Sequence, residues 1–161
     1  MKQAFFFLGL LFILRSPALA EPGRLERVIA AGEVRVCIWP DYYGISFRNP
    51  KTRELKGIDI DMAQALAQDV GVKVRFVDSS FAKLIDDIAQ DHCDIAMFAI
   101  GITPVRSDKL RFTKPHLISD IYAITTKSNR RIKTWANIDQ PGVVVAVAKG
   151  TLHEPVMREK L

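Results

Sequence analysis

The sequence predicts an α/β protein: a first lobe built on a parallel, doubly wound sheet, then an incomplete second α/β lobe. Three observations carry the prediction of the sheet and of the second unit. From Leu25 onward, β-branched apolar runs alternate with segments whose apolar residues recur three and four apart. The first three runs are joined by two helical segments of crossover length, and right-handed βαβ crossovers give a parallel sheet with helices on both faces. Past Thr126 the alternation begins again. Composition agrees, since 161 residues that are 48% hydrophobic and 25% charged can bury a core and are too apolar for disorder.

The first 20 residues stand apart. Fourteen of them are hydrophobic: Lys2 precedes an apolar run of 11 residues from Ala4 to Leu14, and Ala18-Leu19-Ala20 ends in a small-x-small pattern. Spanning a bilayer takes roughly 20 apolar residues, so the segment reads as a secretory signal cleaved after Ala20, leaving an exported protein. Residue 21 is Glu, not Cys, so no lipid attachment is expected there. Cleavage removes Lys2 and Arg15 and no acid, leaving 21 basic residues against 18 acidic. That small excess does not point to nucleic acid, and the tightest basic cluster, Lys127, Arg130, Arg131 and Lys133, reads as solvated surface.

Leu25 to Ala31 forms a short helix stopped by Gly32, and Val34 to Trp39 a first strand ended by Pro40. An irregular stretch with the turn signal Asn49-Pro50 follows. Asp59 caps a helix with Ile60, Ala63, Leu66, Ala67 and Val70 on one face, closed by Gly71. Lys73 to Val77 is the second strand, and Ser79 or Ser80 caps a helix carrying Phe81, Leu84, Ile85, Ile88 and Ala89 on one face. Asp94 to Ile100 is the third strand, almost continuously apolar, as a strand buried on both sides is.

Leu110 to Thr126 is mostly extended. Then come a short element at Trp135 to Ile138, the turn Asp139-Gln140-Pro141-Gly142, a strand at Val143 to Val147 and a helix from near Thr151. The expected domains are a signal segment at 1–20, a first lobe at 21–121, and an extended lead-in with an incomplete second lobe at 122–161. One strand and one helix cannot bury their apolar faces alone. Either the sequence is a fragment of a longer protein, or its last residues dock on the first lobe or stay loosely ordered.

Export permits a disulfide between Cys37 and Cys93. Both, however, lie in apolar strand patterns and read as buried thiols acting as small hydrophobes. Neither has zinc-site spacing, and His92, His116 and His153 show no ligand periodicity. No metal and no cofactor is expected.

In doubly wound sheets, ligands bind beyond the carboxyl ends of the strands. That rule selects Asp41 to Phe47, Asp78 to Phe81, Ala99 to Arg106, and Lys149 to Thr151. Within Gly101-Ile102-Thr103-Pro104-Val105-Arg106, Thr103 can cap a helical turn and Pro104 suits its first position. Two readings of Arg106 stand: a fork gripping a carboxylate with help from Thr103, or a solvent-facing side chain paired with Asp108. Gly150 and Thr151 offer backbone donors at a helix start, or simple capping. Trp39, Tyr42 and Phe81 are either an apolar wall for a ligand or core.

Gly57-Ile58-Asp59-Ile60-Asp61, Asp94-Ile95-Ala96-Met97, Ile102-Thr103, Arg106, Phe112-Thr113-Lys114-Pro115-His116 and Val145 to Thr151 occur in an order that resembles extracytoplasmic solute-binding proteins of family 3. These are the polar amino-acid receptors of ABC importers. The resemblance implies a periplasmic protein of periplasmic-binding-protein-like fold: two lobes that close on a ligand about a hinge whose first strand is placed at Ile121 to Thr126, with Arg106 on the α-carboxylate of an amino acid. Thr103 and, from the other lobe, Gly150 and Thr151 would assist, while Tyr42 and Phe81 border the side-chain pocket. Ala99 and Gly101 stand where the family has a Gly followed by Ser or Thr, which removes a hydroxyl donor. Tyr42-Tyr43-Gly44-Ile45 replaces a frequent Tyr-Pro-Pro-Phe. The implied partners are a small carboxylate ligand and the importer's membrane subunits. The Ile138 to Val143 stretch also resembles cyclohexadienyl dehydratases, enzymes of similar fold, in which Arg106 would hold a substrate carboxylate and Asp41 or Asp78 would be the available acids.

Overall fold

The computed structural model describes residues 21–161, so the expected signal segment at 1–20 lies outside the described residues. Helix α1 (Arg24–Ala31) leads into β1 (Glu33–Ile38). A meander of β2 (Asp41–Tyr42), β3 (Ser46–Arg48) and β4 (Leu55–Lys56) precedes α2 (Ile58–Val70). Then follow β5 (Lys73–Asp78), α3 (Leu84–Ala89), β6 (Ile95–Ala96), α4 (Pro104–Ser107), a 3-10 turn at Trp135–Asn137, and α5 (His153–Lys160).

The main sheet is parallel with order β5-β1-β6. Strand period alone explains its two layers, because successive side chains of β1 point to opposite faces. Val34, Val36 and Ile38 enter one core with Val28 of α1 and Ile60, Ala63 and Ala67 of α2. Cys37 enters the other with Leu84 of α3, Cys93 and Phe98. The sheet is therefore doubly wound, as expected.

Several local expectations are corrected. The irregular stretch after β1 is a three-stranded antiparallel meander. Its turns use Gly44 in the left-handed region and the Asn49 side chain, whose Oδ1 accepts from the Lys51 and Thr52 amides. The third strand is shorter than Asp94 to Ile100. Met97 still donates to the Cys37 carbonyl, but Ala99 adopts φ +49 and the chain leaves the sheet. Phe81 precedes α3 and does not lie on it: the Ser80 hydroxyl accepts from the Lys83 amide in a turn before the helix. Neither Ile121 to Thr126 nor Val143 to Val147 is a strand, and Val144 is 92% exposed. A β-run needs a neighbour for its backbone groups, and among the described residues none lies alongside.

Cys37 and Cys93 are bonded to each other, with Cα atoms 5.6 Å apart. The reading as buried thiols is overturned, although both residues are fully buried. Parallel pairing of β1 with β6 brings the two positions together, and nothing local in either segment reports that pairing. Just beyond Cys93, Arg24 donates to the Cys93 and Asp94 carbonyls at 2.9 and 3.0 Å.

Arg35 holds Asp94 through its backbone amide at 2.8 Å, Nε at 3.0 Å and Nη2 at 2.7 Å. Burial pushes the Asp94 carboxyl up, but the hydrogen bonds and charge of Arg35 outweigh it and leave the group below its ordinary pKa. Asp87 is likewise pushed up by burial and pulled further down by His92 and Ser79. A carboxylate depressed in the fold stabilises above its unfolded pKa of about 3.9, and that stability is lost as pH falls through the lower folded value. Urea unfolding is therefore expected to show little pH dependence from these groups above about pH 5 and a falling midpoint below about pH 4. Asp94→Asn should lower the midpoint at neutral pH and flatten the acid slope; an unchanged slope would contradict the assignment.

Candidate functional site

The order β5-β1-β6 reverses its winding between β1 and β6, and ligands of open α/β sheets sit at such a reversal, beyond the strands' carboxyl ends. Three chain segments emerge there: Trp39 to Tyr42 after β1, Ser79 to Phe81 after β5, and Phe98 to Arg106 after β6. The third is held from a distance. Asp59, only 3% exposed, lies in the first turn of α2 and accepts the Ala99 amide on Oδ2 at 2.6 Å. The cap role expected for it from sequence is overturned: Asp59 lies inside the helix and does not cap it. The first α2 amides, of Ile58 and Asp59, donate instead to the Gly44 and Ile45 carbonyls. That close approach requires Gly57, where a Cβ would come within 2.2 Å of the Ile45 oxygen. Gly57 and Asp59 of the Gly-Ile-Asp-Ile-Asp motif thus position the loop that carries Arg106.

Thr103 caps α4 through Oγ1, which accepts the Arg106 amide at 3.3 Å, and Pro104 takes the first helical position. Arg106 is turned inward and is 6% exposed. Its Nη1 donates to the Gly101 carbonyl at 2.7 Å and its Nη2 to the Gly150 carbonyl at 2.8 Å. Among the described residues it forms no ion pair, and the reading that pairs it with Asp108 in solvent is overturned. Burial lowers its pKa from the ordinary arginine value. A guanidinium has five N–H donors in a planar fork, and neutral carbonyls satisfy two of them here.

The Arg106 fork lies over the Phe81 ring, 5.6 Å from its centroid. Phe81 in turn meets Trp39 at 5.3 Å, Tyr42 at 6.1 Å and Phe98 at 4.9 Å in edge-to-face contacts. Phe98 is fully buried, whereas Trp39, Tyr42 and Phe81 are only part-buried. These aromatics therefore serve as the roof of the second core and as a wall beside Arg106.

The residues expected at the site converge in part. Tyr42, Phe81, Gly101, Thr103, Arg106 and Gly150 are linked by the contacts above. Ala99 contributes its amide to Asp59 and so acts by shaping the loop. Gly150 and Thr151 differ from the expected open donors. The Gly150 amide donates to Glu154 Oε2 at 2.9 Å, and the Thr151 hydroxyl to the Ala148 carbonyl at 2.7 Å. What faces Arg106 is the Gly150 carbonyl. Asp78, one of the two acid candidates, is engaged by both Nη atoms of Arg48, while Asp41 is exposed. Asp59 is the positioning residue that sequence reasoning missed; its place inside a helix start carries no local sign of a partner 40 residues away.

Residues 34–159 match the family model of bacterial extracellular solute-binding proteins, family 3. The chain is 37% identical over 156 residues to a cyclohexadienyl dehydratase of Pseudomonas aeruginosa, covering 96% of this chain and 58% of that protein. It is 26% identical to the L-cystine-binding protein TcyJ of Escherichia coli, covering 89% of this chain and 53% of that one. The chain thus spans about half the length of the curated relatives it matches. Among solved structures, it resembles the ancestral amino acid-binding protein AncCDT-1, a precursor of cyclohexadienyl dehydratase. The TM-score is 0.82 at 34% identity, over 86% of this chain and 61% of that one. The fold is periplasmic-binding-protein-like and is present here in part. With most of its length matched by the family model, the chain belongs to the bacterial extracellular solute-binding proteins, family 3.

Proposed function

We propose that the chain is the capturing part of a periplasmic solute-binding protein that takes an amino acid or a similar small carboxylate for an ABC importer. Residues 21–121 form its first lobe, and 122–161 its hinge and the beginning of its second. The observation that carries this reading is Arg106, a buried cation at the sheet's switch point that forms no ion pair among the described residues. A charge kept from water is costly unless an opposite charge meets it, and a carboxylate is the partner whose two oxygens match a guanidinium fork. The relatives named for amino-acid binding support the ligand class. The Cys37–Cys93 bond supports an oxidising compartment, since disulfides persist in the periplasm and are rare in the cytosol. Among the described residues no helix is long and apolar enough to cross a membrane.

A zwitterion leaves water readily only when both its charges find fixed partners. Arg106 and the Thr103 hydroxyl, which keeps its own proton to donate, serve the carboxylate, and the Phe81 wall serves the side chain. These groups serve the carboxylate and the side chain and leave the ammonium without a fixed partner among the described residues, so the 161-residue chain should bind amino acids only weakly. NMR titration following the Arg106 Nε–Hε and Trp39 indole signals should give millimolar affinities that need the carboxylate. Micromolar binding, or equal shifts with amino-acid amides, would contradict the reading.

A second reading has one specific support, the 37% identity to a cyclohexadienyl dehydratase. In it Arg106 holds the substrate carboxylate, and an acid assists loss of water. Asp78 is already committed to Arg48, which leaves Asp41. Turnover of prephenate, followed by product absorbance, separates the two: the binding reading expects none.

A further inference from the structure

The segment Ala148 to Leu152 occupies the place where the ligand's carboxylate is proposed to sit. We infer that this turn is a built-in occupant of the Arg106 site, which a carboxylate must displace; the inference rests on the carboxylate reading above. The Gly150 carbonyl accepts from Arg106 Nη2 at 2.8 Å and, with the Gly101 carbonyl at 2.7 Å, takes the fork as two ligand oxygens would. Backbone meets backbone at this point. Gly150 has φ +78, and a Cβ there would lie 2.9 Å from the Ala82 Cα and nitrogen. Leu152 closes over Gly101, where a Cβ would be 3.1 Å from Leu152 Cδ2. Thr151 is 7% exposed in a C-terminal region that is otherwise mostly open.

The turn is organised to present an acceptor. Glu154 holds the Gly150 amide and the Ala148 carbonyl takes the Thr151 hydroxyl, so donors are spent within the turn and the carbonyl is left for Arg106. A neutral carbonyl is the weaker partner, because it offers the buried cation a dipole, whereas a carboxylate brings a full opposite charge and two oxygens that match the fork. A carboxylate therefore displaces it, but its apparent affinity is reduced by the fraction of molecules in which the turn is docked. By reciprocity, carboxylate binding loosens the hold on the turn and on α5 behind it. A turn that instead clamped the ligand would be tightened by binding.

The test uses the whole chain, acetate as a probe carrying only the carboxylate, and chloride at equal ionic strength as control. Amide exchange of residues 149–161 reads the docking of the turn, and the Arg106 Nε–Hε NMR signal reads occupancy. Gly150→Ala places a Cβ against Ala82 at a strained φ; Glu154→Gln weakens the turn without touching Arg106, and serves if the first variant misfolds. Both should speed exchange at 149–161 without acetate and bind acetate about fivefold more tightly, the amount one net hydrogen bond is worth. In the unaltered chain acetate should speed exchange there. Slower exchange on adding acetate, or weaker binding by the variants, overturns the proposal in favour of a clamp. Unchanged exchange in both variants overturns the docking itself. A released turn in the variants with an Arg106 signal that acetate never moves overturns the carboxylate reading, and the displacement with it.

Discussion

Arg106→Ala is expected to abolish measurable carboxylate binding. Truncating one partner of a buried, hydrogen-bonded charge pair costs about 2–5 kcal/mol, and each 1.4 kcal/mol is about tenfold in affinity, so an already weak titration falls below detection. The fold should survive the change. The guanidinium makes two hydrogen bonds to carbonyls, of Gly101 and Gly150, and truncation opens room for water at both; the Thr103 cap uses the Arg106 amide, which remains. Arg106→Lys separates charge from geometry, since an ammonium keeps the charge but cannot form the planar fork and is more strongly hydrated. It should bind detectably but more weakly than the unaltered chain. The check is the Trp39 indole signal in a titration with amino acids, with urea unfolding of each variant alongside. Near-normal affinity in a folded Arg106→Ala variant would remove the carboxylate role.

Where burial is dictated by local periodicity, sequence and structure agree to within a residue or so. The alternation in Val34 to Ile38 became the two faces of β1, and the Ile60, Ala63 and Ala67 spacing became the buried face of α2. The Thr103-Pro104 start of α4 was legible for the same reason, because a cap and its amide are three residues apart. What escaped was set across distance. The Ala99 amide is claimed by Asp59 from 40 residues back, which ends β6 early despite its apolar run. Cys37 and Cys93 are joined over 56 positions. Gly150 reaches Arg106 over 44 and turns a carbonyl toward it, where helix-start reasoning expects an amide. Val143 to Val147 has a strand's composition without a neighbour to pair with among the described residues, and composition cannot supply the neighbour. At the site, residue types and positions were readable from sequence, whereas the direction in which each polar group points was not.

Loss of the Cys37–Cys93 bond is expected to destabilise the fold by about 4 kcal/mol on loop entropy alone, given the 56-residue separation it closes in the unfolded chain. Measured losses for native disulfides of small domains run about 2–5 kcal/mol, a large part of the roughly 5–15 kcal/mol a domain has in total. Both cysteines are fully buried in the cluster of Leu84 and Phe98, so reductant should act only through opened or unfolded molecules. Two ties persist without the bond: Arg35 on Asp94, and Arg24 on the Cys93 and Asp94 carbonyls. The protein should therefore remain folded at moderate temperature, with the β6 end loosened first. Because Phe98 of that cluster lies 4.9 Å from Phe81, the loosening should reach the wall beside Arg106. Urea unfolding with and without reductant, and of a Cys37→Ala, Cys93→Ala double variant, should give the same lowered midpoint, accompanied by a shifted Trp39 indole signal in the folded state. An unchanged midpoint under reductant, with free thiols confirmed by labelling, would show that strand pairing and the two arginine ties suffice to hold β6 in place.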